Sequence, residues 1–346
     1  MGKIVRFFLK LIISGVLAVA VLSLFCYFFD NSPSAIPQPL YLTNYRYDQG
    51  VFWSDMREGA GFGIINNMGY NGLTDYDEEG RPVIAVLGSS HTEAFQIAQE
   101  QQYVSLVQDK LYADDQTEND YQCLNLGASS HYLRTSVSNF DYVTSYFDNL
   151  AYVVIEVSDI EYTPDEFQWM LDGKYHDPLK KDGLMQRLVE KVPILRIPLL
   201  RTVKKQFERI RRAEEVGTEE SVPVERDYEA YRTAVDNVIE KLASKTAEKS
   251  AMLLIVYHHE TQLDDRLGMV RIDDMEYVRI FSEVCQKHDV RFIDVVDDFI
   301  DHYASTYETP RGFANTAMNE GHTNAVGHGI IAQALYDAIC ELEEGQ

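Results

Sequence analysis

Five short runs of apolar, largely β-branched residues recur along the chain: Val83 to Leu87, Cys123 to Leu126, Tyr152 to Val157, Met252 to Tyr257 and Phe292 to Val295. They are nearly continuous rather than alternating with polar positions, which is the pattern of strands buried on both faces. Between them apolar residues return at helical spacing, as in Tyr103, Leu106, Val107 and Leu111; Tyr228, Tyr231, Val235, Val238 and Leu242; and Tyr277, Ile280, Phe281 and Val284. Each set gives a helix one face to bury. Strands alternating with helices predict an α/β fold, a three-layer sandwich with a central five-stranded parallel sheet.

The first thirty residues follow a different pattern. Lys3, Arg6 and Lys10 precede nineteen uncharged residues, Leu11 to Phe29. As a helix that run spans roughly 28 Å, against a hydrocarbon core of about 30 Å. It reads as a transmembrane anchor over residues 1–29. A cleaved signal peptide is the rival, but its apolar region is usually shorter, and "LFCYFFDNSPS" lacks a small-x-small cleavage pattern. The three basic residues place the N-terminus in the cytoplasm and the rest of the chain outside, as a single-pass membrane protein. Residues 30–44, rich in Pro and Ser at their start, read as a linker, and residues 45–346 as the extracytoplasmic domain.

Charge narrows the partners. With the anchor's three basic residues set aside, 28 Lys and Arg face 55 Asp and Glu, a formal −27. Such a surface repels nucleic acid and keeps the domain soluble. Residues 174–212 run against this trend, with twelve Lys or Arg to four acidic residues around "VPILRIPLL". With the loop that follows, 174–225 form a basic helical insertion, either packed on the sheet or lying on a membrane surface or membrane-protein partner. Four cysteines, one inside the anchor, make no disulfide framework, so buried free thiols are expected. No cysteine or histidine spacing fixes a metal geometry; His258, His259 and Glu260 form the only strand-end cluster to consider, and no metal or cofactor is expected.

Reactive groups of an open parallel sheet gather at the carboxyl ends of its strands. "AVLGSSHTEAF", residues 85 to 95, turns sharply from the first strand into a helical run and puts Ser90 at that end. There its hydroxyl is a candidate nucleophile and its own N–H a candidate oxyanion donor, although a serine at this place can equally cap the helix. Near the other end of the chain, "NEGHTNAVGHGIIAQAL" places His322 in a Gly-rich loop before an apolar helix. A serine nucleophile needs such a base within hydrogen-bond reach.

At these residues the chain resembles the SGNH/GDSL hydrolase superfamily, over roughly residues 60 to 342. The first block, Gly-Asp-Ser-x-Thr, corresponds to Gly88-Ser89-Ser90-His91-Thr92. The glycine of the second block corresponds to Gly127 in "LNLGASS". The last block, Asp-x-x-His with Asn and Gly-His following, corresponds to Asn319-Glu320-Gly321-His322, Asn324, Gly327 and His328. "GIINNMGYNG", residues 63 to 72, resembles a segment of envelope-associated relatives that act on exported polysaccharide, which suggests Asn66 and Tyr70 as substrate contacts. Tyr45, Tyr47 and Trp53 could stack on sugar or belong to the core. His91 and His131, after the first two strands, are further candidate substrate contacts.

Two departures bear on chemistry. The third block should supply an Asn to the oxyanion hole, and "EVSD" offers Ser158 instead, so the expected donors are Ser90, Gly127 and Ser158. The triad acid is replaced by Asn319, leaving Asn319, the neighbouring Glu320 or a backbone carbonyl to orient His322. The resemblance implies serine-dependent acyl transfer, with acetyl as the expected group, to or from a cell-envelope or exported polysaccharide. Water as acceptor makes the enzyme an esterase and a sugar hydroxyl makes it an acyltransferase, with a multispanning membrane acyltransferase as the expected source of the acyl group. A D-alanyl transfer protein of teichoic acid assembly resembles the chain only in its anchor and its serine and histidine. The alternative of another class is a non-catalytic glycan-binding or scaffold protein of an export or acylation complex.

Overall fold

The computed structural model describes residues 2–38, 42–78, 80–113, 120–173 and 227–345. The basic insertion expected at 174–225 lies outside the described residues. An apolar helix, α1 (Gly2–Phe29), leads into β1 (Asp30–Asn31), β2 (Ala35–Pro37), β3 (Tyr45–Tyr47), β4 (Phe52–Asp55) and β5 (Gly61–Ile64). Then come β6 (Val83–Gly88), the single turn α2 (Ser90–Glu93), α3 (Tyr103–Ala113), β7 (Gln122–Gly127), α4 (Leu133–Tyr146), β8 (Leu150–Val157) and α5 (Pro164–Leu171). After the undescribed stretch follow α6 (Tyr228–Ala247), β9 (Met252–Tyr257), β10 (Thr261–Asp264), β11 (Gly268–Arg271), α7 (Met275–Lys287) and β12 (Arg291–Asp294). The chain closes with α8 (Val296–Thr306), β13 (Arg311–Gly312), β14 (Met318–Thr323) and α9 (Ala325–Glu344).

The five apolar runs become the five strands of one sheet, in the order β7-β6-β8-β9-β12, with every neighbouring pair parallel. Because side chains alternate across a strand, each run serves two cores at once. Val83, Ala85, Leu87, Val153, Ile155, Leu253 and Ile255 pack under α4, α5, α6 and α7, while Ile84, Val86, Val154, Leu254 and Val256 pack under α3, α8 and α9. Strands covered on both faces must be apolar throughout, which is why their sequences are continuous. From β6 the chain moves outward to β7 and then crosses back to β8. The crevice at the carboxyl ends of β6 and β8 is therefore the point of reversal, where open sheets of this kind bind ligands.

The segment read as a linker is built into the structure at its described ends. Asp30 and Asn31 pair with Asp55 and Ser54, and Ala35 to Pro37 pair with Tyr45 to Tyr47. Trp53 of β4 is fully buried and meets Phe95 edge-on at 4.7 Å, so it fills core rather than offering a face to sugar. Tyr45 and Tyr47 likewise turn inward, their hydroxyls donating to buried Glu93 at 3.1 and 2.6 Å. Cys26, Cys123 and Cys285 are buried free thiols, and Cys340 is half-buried and free. Among the described residues α1 is the one helix long and apolar enough to cross a membrane, with a mean hydropathy of 2.5 over its most apolar stretch.

Candidate active site

The turn from β6 into α2 is as tight as the sequence implied. A Cβ at Gly88 would lie 2.1 Å from Thr92 Oγ1 and 2.5 Å from Glu156 Oε2, so no other residue fits there. Ser89 caps α2, its hydroxyl accepting from the His91 N–H at 3.3 Å, which frees the next serine from capping. Ser90 opens the helix, where geometry leaves its N–H without an intrahelical acceptor.

Beneath this turn lies Glu156, at the end of β8 and 1% exposed. Its Oε2 accepts from the Ser89 N–H at 2.7 Å, the Ser89 hydroxyl at 2.9 Å and the Thr92 hydroxyl at 3.0 Å. Its Oε1 lies 2.8 Å from His258 Nε2, and the other His258 nitrogen, Nδ1, lies 2.5 Å from Arg311 Nη2. Guanidinium only donates, so His258 Nδ1 accepts and Nε2 carries the proton given to Glu156. Burial pushes the His258 pKa down, consistent with a neutral ring. Burial alone would raise the Glu156 pKa, but the His258 and Ser89 hydrogen bonds outweigh it and hold the carboxyl below its usual range. Buried Arg311, pushed down to about 10 by desolvation, also donates to the Gly321 carbonyl at 3.2 Å. One buried chain thus ties the serine turn to the loop carrying His322.

His322 lies in β14, with Nε2 2.9 Å from Ser90 Oγ. Its Nδ1 lies 2.8 Å from Glu58 Oε2, and its backbone N–H donates to Glu58 Oε1 at 3.0 Å. Glu58 and His322 side chains are each about a quarter exposed, at 27% and 26%, so the series opens to solvent. The carboxylate fixes Nδ1 as the protonated nitrogen and leaves Nε2 to accept the serine proton. Glu58 follows β4 in a loop held from three sides. Asn315 donates to the Met56 and Gly59 carbonyls at 3.0 and 2.9 Å and accepts from the Gly59 N–H at 2.9 Å. Arg57 pairs with Asp55 and lies 3.7 Å from buried Asp30. Gly321, at φ +77°, makes room for the carboxylate, since a Cβ there would lie 2.6 Å from Glu58 Oε1.

The structure brings Ser90 and His322 together but seats Glu58 where Asn319 or Glu320 was expected. Asn319 is buried and faces the other way, its amide donating to the Thr261 carbonyl at 2.7 Å and accepting from the Thr261 hydroxyl at 3.2 Å. Glu320 is exposed. Asn319 and Gly321 both take left-handed φ, +60° and +77°, so the backbone turns between Asn319 and His322 and sends the two side chains to different partners, which is the physical reason for the correction.

Gly127 also departs from expectation. Its N–H is occupied by Asn125 Oδ1 at 2.8 Å, and its missing side chain serves packing, because a Cβ would lie 2.3 Å from the Glu93 nitrogen. Ser158 follows β8 and lines a narrow cleft with Ser89, Tyr132 and Asp159.

Three of the four suggested substrate contacts, Asn66, Tyr70 and His131, are internal. Asn66 Oδ1 accepts from the Met68 and Tyr70 N–H groups, and its amide donates to the Thr74 carbonyl, so it organises a turn. Tyr70 is 1% exposed and bonds Thr43 at 2.9 Å. His131 Nε2 accepts from the Asn44 N–H at 3.1 Å, and burial lowers its pKa to about 4. His91 packs its ring 5.1 Å from that of His322, and its Nδ1 accepts from the Thr323 N–H at 3.2 Å. It is half-buried and packs against the base. Asn324 caps α9, accepting from the Val326 and Gly327 N–H groups, and buried His328 accepts from the Tyr103 N–H at 3.1 Å.

Sequence reasoning missed Glu58, Asn315 and the buried Glu156, His258 and Arg311 chain. The available signal for Glu58 was the glycines at 59, 61 and 63 beside it, which mark close backbone approach.

No protein-family model matches the chain, and no curated protein matches it in sequence. Solved structures with a similar fold include an acetyl xylan esterase, 14% identical, with 74% of this chain covering 99% of that one at a TM-score of 0.41. They include the lipase/acylhydrolase from Enterococcus faecalis, 14% identical over 75% of this chain and 95% of that one, TM-score 0.39. A two-domain esterase active on acetylated mannans, co-crystallised with mannopentaose, is 12% identical over 76% of this chain and 50% of that one, TM-score 0.40. With its five parallel strands in the order β7-β6-β8-β9-β12 and helices on both faces, the chain has a three-layer α/β fold.

Proposed function

We propose that the chain is a serine-dependent acyl-group enzyme that transfers or hydrolyses an O-acyl group, acetyl by preference, on a cell-envelope or exported polysaccharide. The observation that carries this reading is the hydrogen-bonded series Glu58, His322 and Ser90 at the point of sheet reversal. In the reaction Ser90 Oγ attacks the acyl carbonyl carbon while His322 Nε2 takes the hydroxyl proton. Glu58 holds the ring and stabilises the imidazolium that forms. The Ser90 N–H, at the positive end of α2, faces the developing oxyanion, with the Ser158 hydroxyl as the second donor. Collapse of the intermediate expels the sugar or carrier oxygen, which takes the proton back from His322. Water or a sugar hydroxyl then attacks the acyl-serine by the same route, giving hydrolysis or transfer.

We place the catalytic domain outside the membrane, held there by α1 with its N-terminus in the cytoplasm. A multispanning acyltransferase is the proposed source of acyl groups. The occupied Gly127 N–H favours one other reading: with fewer oxyanion donors than expected, the domain would hold glycan without turnover, as a binding or scaffold component.

The test is to label the full chain in detergent with a small fluorophosphonate and read intact mass. The expected result is one adduct on the wild type and none on Ser90→Ala or His322→Ala. A folded wild type that takes no adduct, yet binds oligosaccharide equally before and after Ser90→Ala, would establish the binding reading instead.

A further inference from the structure

The ribbon β4–β5 has two unlike faces. Register pairs Phe52 with Ile64 and Ser54 with Phe62, so these four side chains share one face; Trp53, Gly63, Asp55 and Gly61 share the other. The second face packs inward: Trp53 is fully buried, and added Cβ atoms at Gly61 and Gly63 would meet the Phe95 carbonyl at 2.1 Å and the Gln99 side chain at 2.3 Å. The first face turns outward with Phe62 46% and Ile64 56% exposed, beside Leu73 at 48%. A groove of about 710 Å³ runs along it, lined by the apolar Phe52, Phe62, Ile64 and Leu73 and also by polar residues, Asp75 and Glu100 among them.

The end of α1 is seated on this same outward face. Tyr27 stacks on Phe52 at 5.5 Å, Phe28 meets it at 6.4 Å, and the Ser54 hydroxyl donates to the Tyr27 carbonyl at 2.9 Å. The Met56 N–H donates to the Phe29 carbonyl at 2.9 Å. The apolar surface of the helix therefore adjoins the exposed apolar residues of the ribbon through Tyr27, Phe28 and Phe52.

We infer that the outward face of β4–β5 is sunk into the lipid interface beside α1, so that the domain lies on the bilayer with the Glu58–His322–Ser90 site close to the membrane surface. The inference rests on the reading of α1 as a membrane span. Its occupant is the lipid surface because the patch is continuous with the one element built for hydrocarbon. The acidic balance of the chain gives no pull toward anionic headgroups, so apolar insertion holds the face down. Glu58 lies two residues beyond the Met56 bond to α1, so its backbone is within roughly 7 Å of chain from Met56, the residue tied to the helix end. A site placed there suits an acyl donor presented at the membrane rather than one free in solution.

The test uses the full chain, one copy per phosphatidylcholine nanodisc, with Phe62→Trp or Ile64→Trp, and Tyr307→Trp, at an 80% exposed residue that follows α8, as the reference. Replacing the lipid by brominated phosphatidylcholine should quench the added fluorescence at 62 and 64 about twofold or more beyond that at 307, as expected for side chains at the acyl boundary. Equal quenching at all three positions overturns the inference. Unquenched but blue-shifted emission at 62 and 64, with cross-linked dimers in discs loaded with two copies, also overturns it and identifies a second copy as the cover. Extraction of wild-type protein from membranes by alkaline carbonate separates the two readings: a chain that is released refutes the span itself, while one that stays but shows no quenching refutes the ribbon's seating alone.

Discussion

Replacing Glu58 by Gln tests the site at its least expected member, and the structure dictates the outcome. Two donors converge on this carboxylate, the His322 backbone N–H at 3.0 Å and the His322 Nδ1–H at 2.8 Å, one to each oxygen. Glutamine offers one oxygen and one NH2 in the same place. The backbone donor cannot change, so the amide oxygen stays with it and the NH2 turns toward Nδ1. That forces Nδ1 to accept and moves the ring proton to Nε2, where it blocks acceptance of the Ser90 proton. The equivalent exchange in a serine protease lowers kcat by about 10⁴ through the same wrong tautomer. That factor corresponds to about 5.5 kcal/mol of barrier. Fluorophosphonate labelling rate and p-nitrophenyl acetate hydrolysis, compared at equal thermal stability, measure the loss. Asn319→Ala and Glu320→Gln should both stay within about threefold of wild type, under about 0.7 kcal/mol, because neither side chain meets His322. Full activity in Glu58→Gln, or an equal fall in a folded Asn319→Ala, would refute the assignment.

Gly321→Ala should slow serine labelling about tenfold or more with secondary structure intact, since its Cβ would strike Glu58 Oε1 and its φ of +77° is left-handed; an unchanged rate would show that Glu58 need not approach so closely. Glu156→Gln should destabilise the fold by about 3 to 5 kcal/mol in urea melts, because the amide leaves the His258 Nε2–H facing another donor while Arg311 blocks the alternative tautomer; a loss under about 1 kcal/mol would refute the buried chain as drawn. Stability should fall as pH drops from 6.5 toward 4. Burial depresses His131 to about 4 and His328 to about 3, so the unfolded chain takes up protons in that window while the folded one does not, and stability rises with pH there. At pH 5 the two histidines together remove about 4 kcal/mol. Glu93, whose pKa burial raises, works in the opposite direction. A melting temperature unchanged between pH 7 and 5 would contradict this.

The sheet was legible because its strands had no choice of composition. Val86 and Leu87 face opposite helical layers, so each position had to be apolar, and a continuous apolar run is conspicuous in a chain this acidic. Ser90 and His322 were legible for a second reason: the open parallel sheet places reactive groups at strand ends, and both follow apolar runs at glycine-bearing turns. Glu58 carried only the weaker mark of the neighbouring glycines and followed no strand of the parallel sheet. It lies 264 residues from His322 in a polar turn outside the sheet, and nothing in local periodicity distinguishes a carboxylate that reaches a distant ring from one that reaches water. Asn319 was chosen by motif spacing, but left-handed backbone at Asn319 and Gly321 turns its side chain to Thr261 and away from the ring. Glu156, His258 and Arg311 were missed because a buried polar chain is defined by partners brought from separate elements, not by any run of sequence.

The position of the acid also changes what the N-terminal region does. Had the carboxylate come from β14, the segment between α1 and β6 would be free to act as a tether of any shape. Instead Asp30 closes on Arg57, β1 pairs with β4, and Asn315 grips the loop from the side of the histidine. Together these contacts restrain the stretch Ser54 to Gly59 around Glu58, between the end of α1 and the segment of His322. A side chain that must hold an imidazole within hydrogen-bond reach needs such support from its surroundings. The segment between α1 and β6 therefore completes the site, supplying Glu58 to a series whose Ser90 and His322 come from later in the chain.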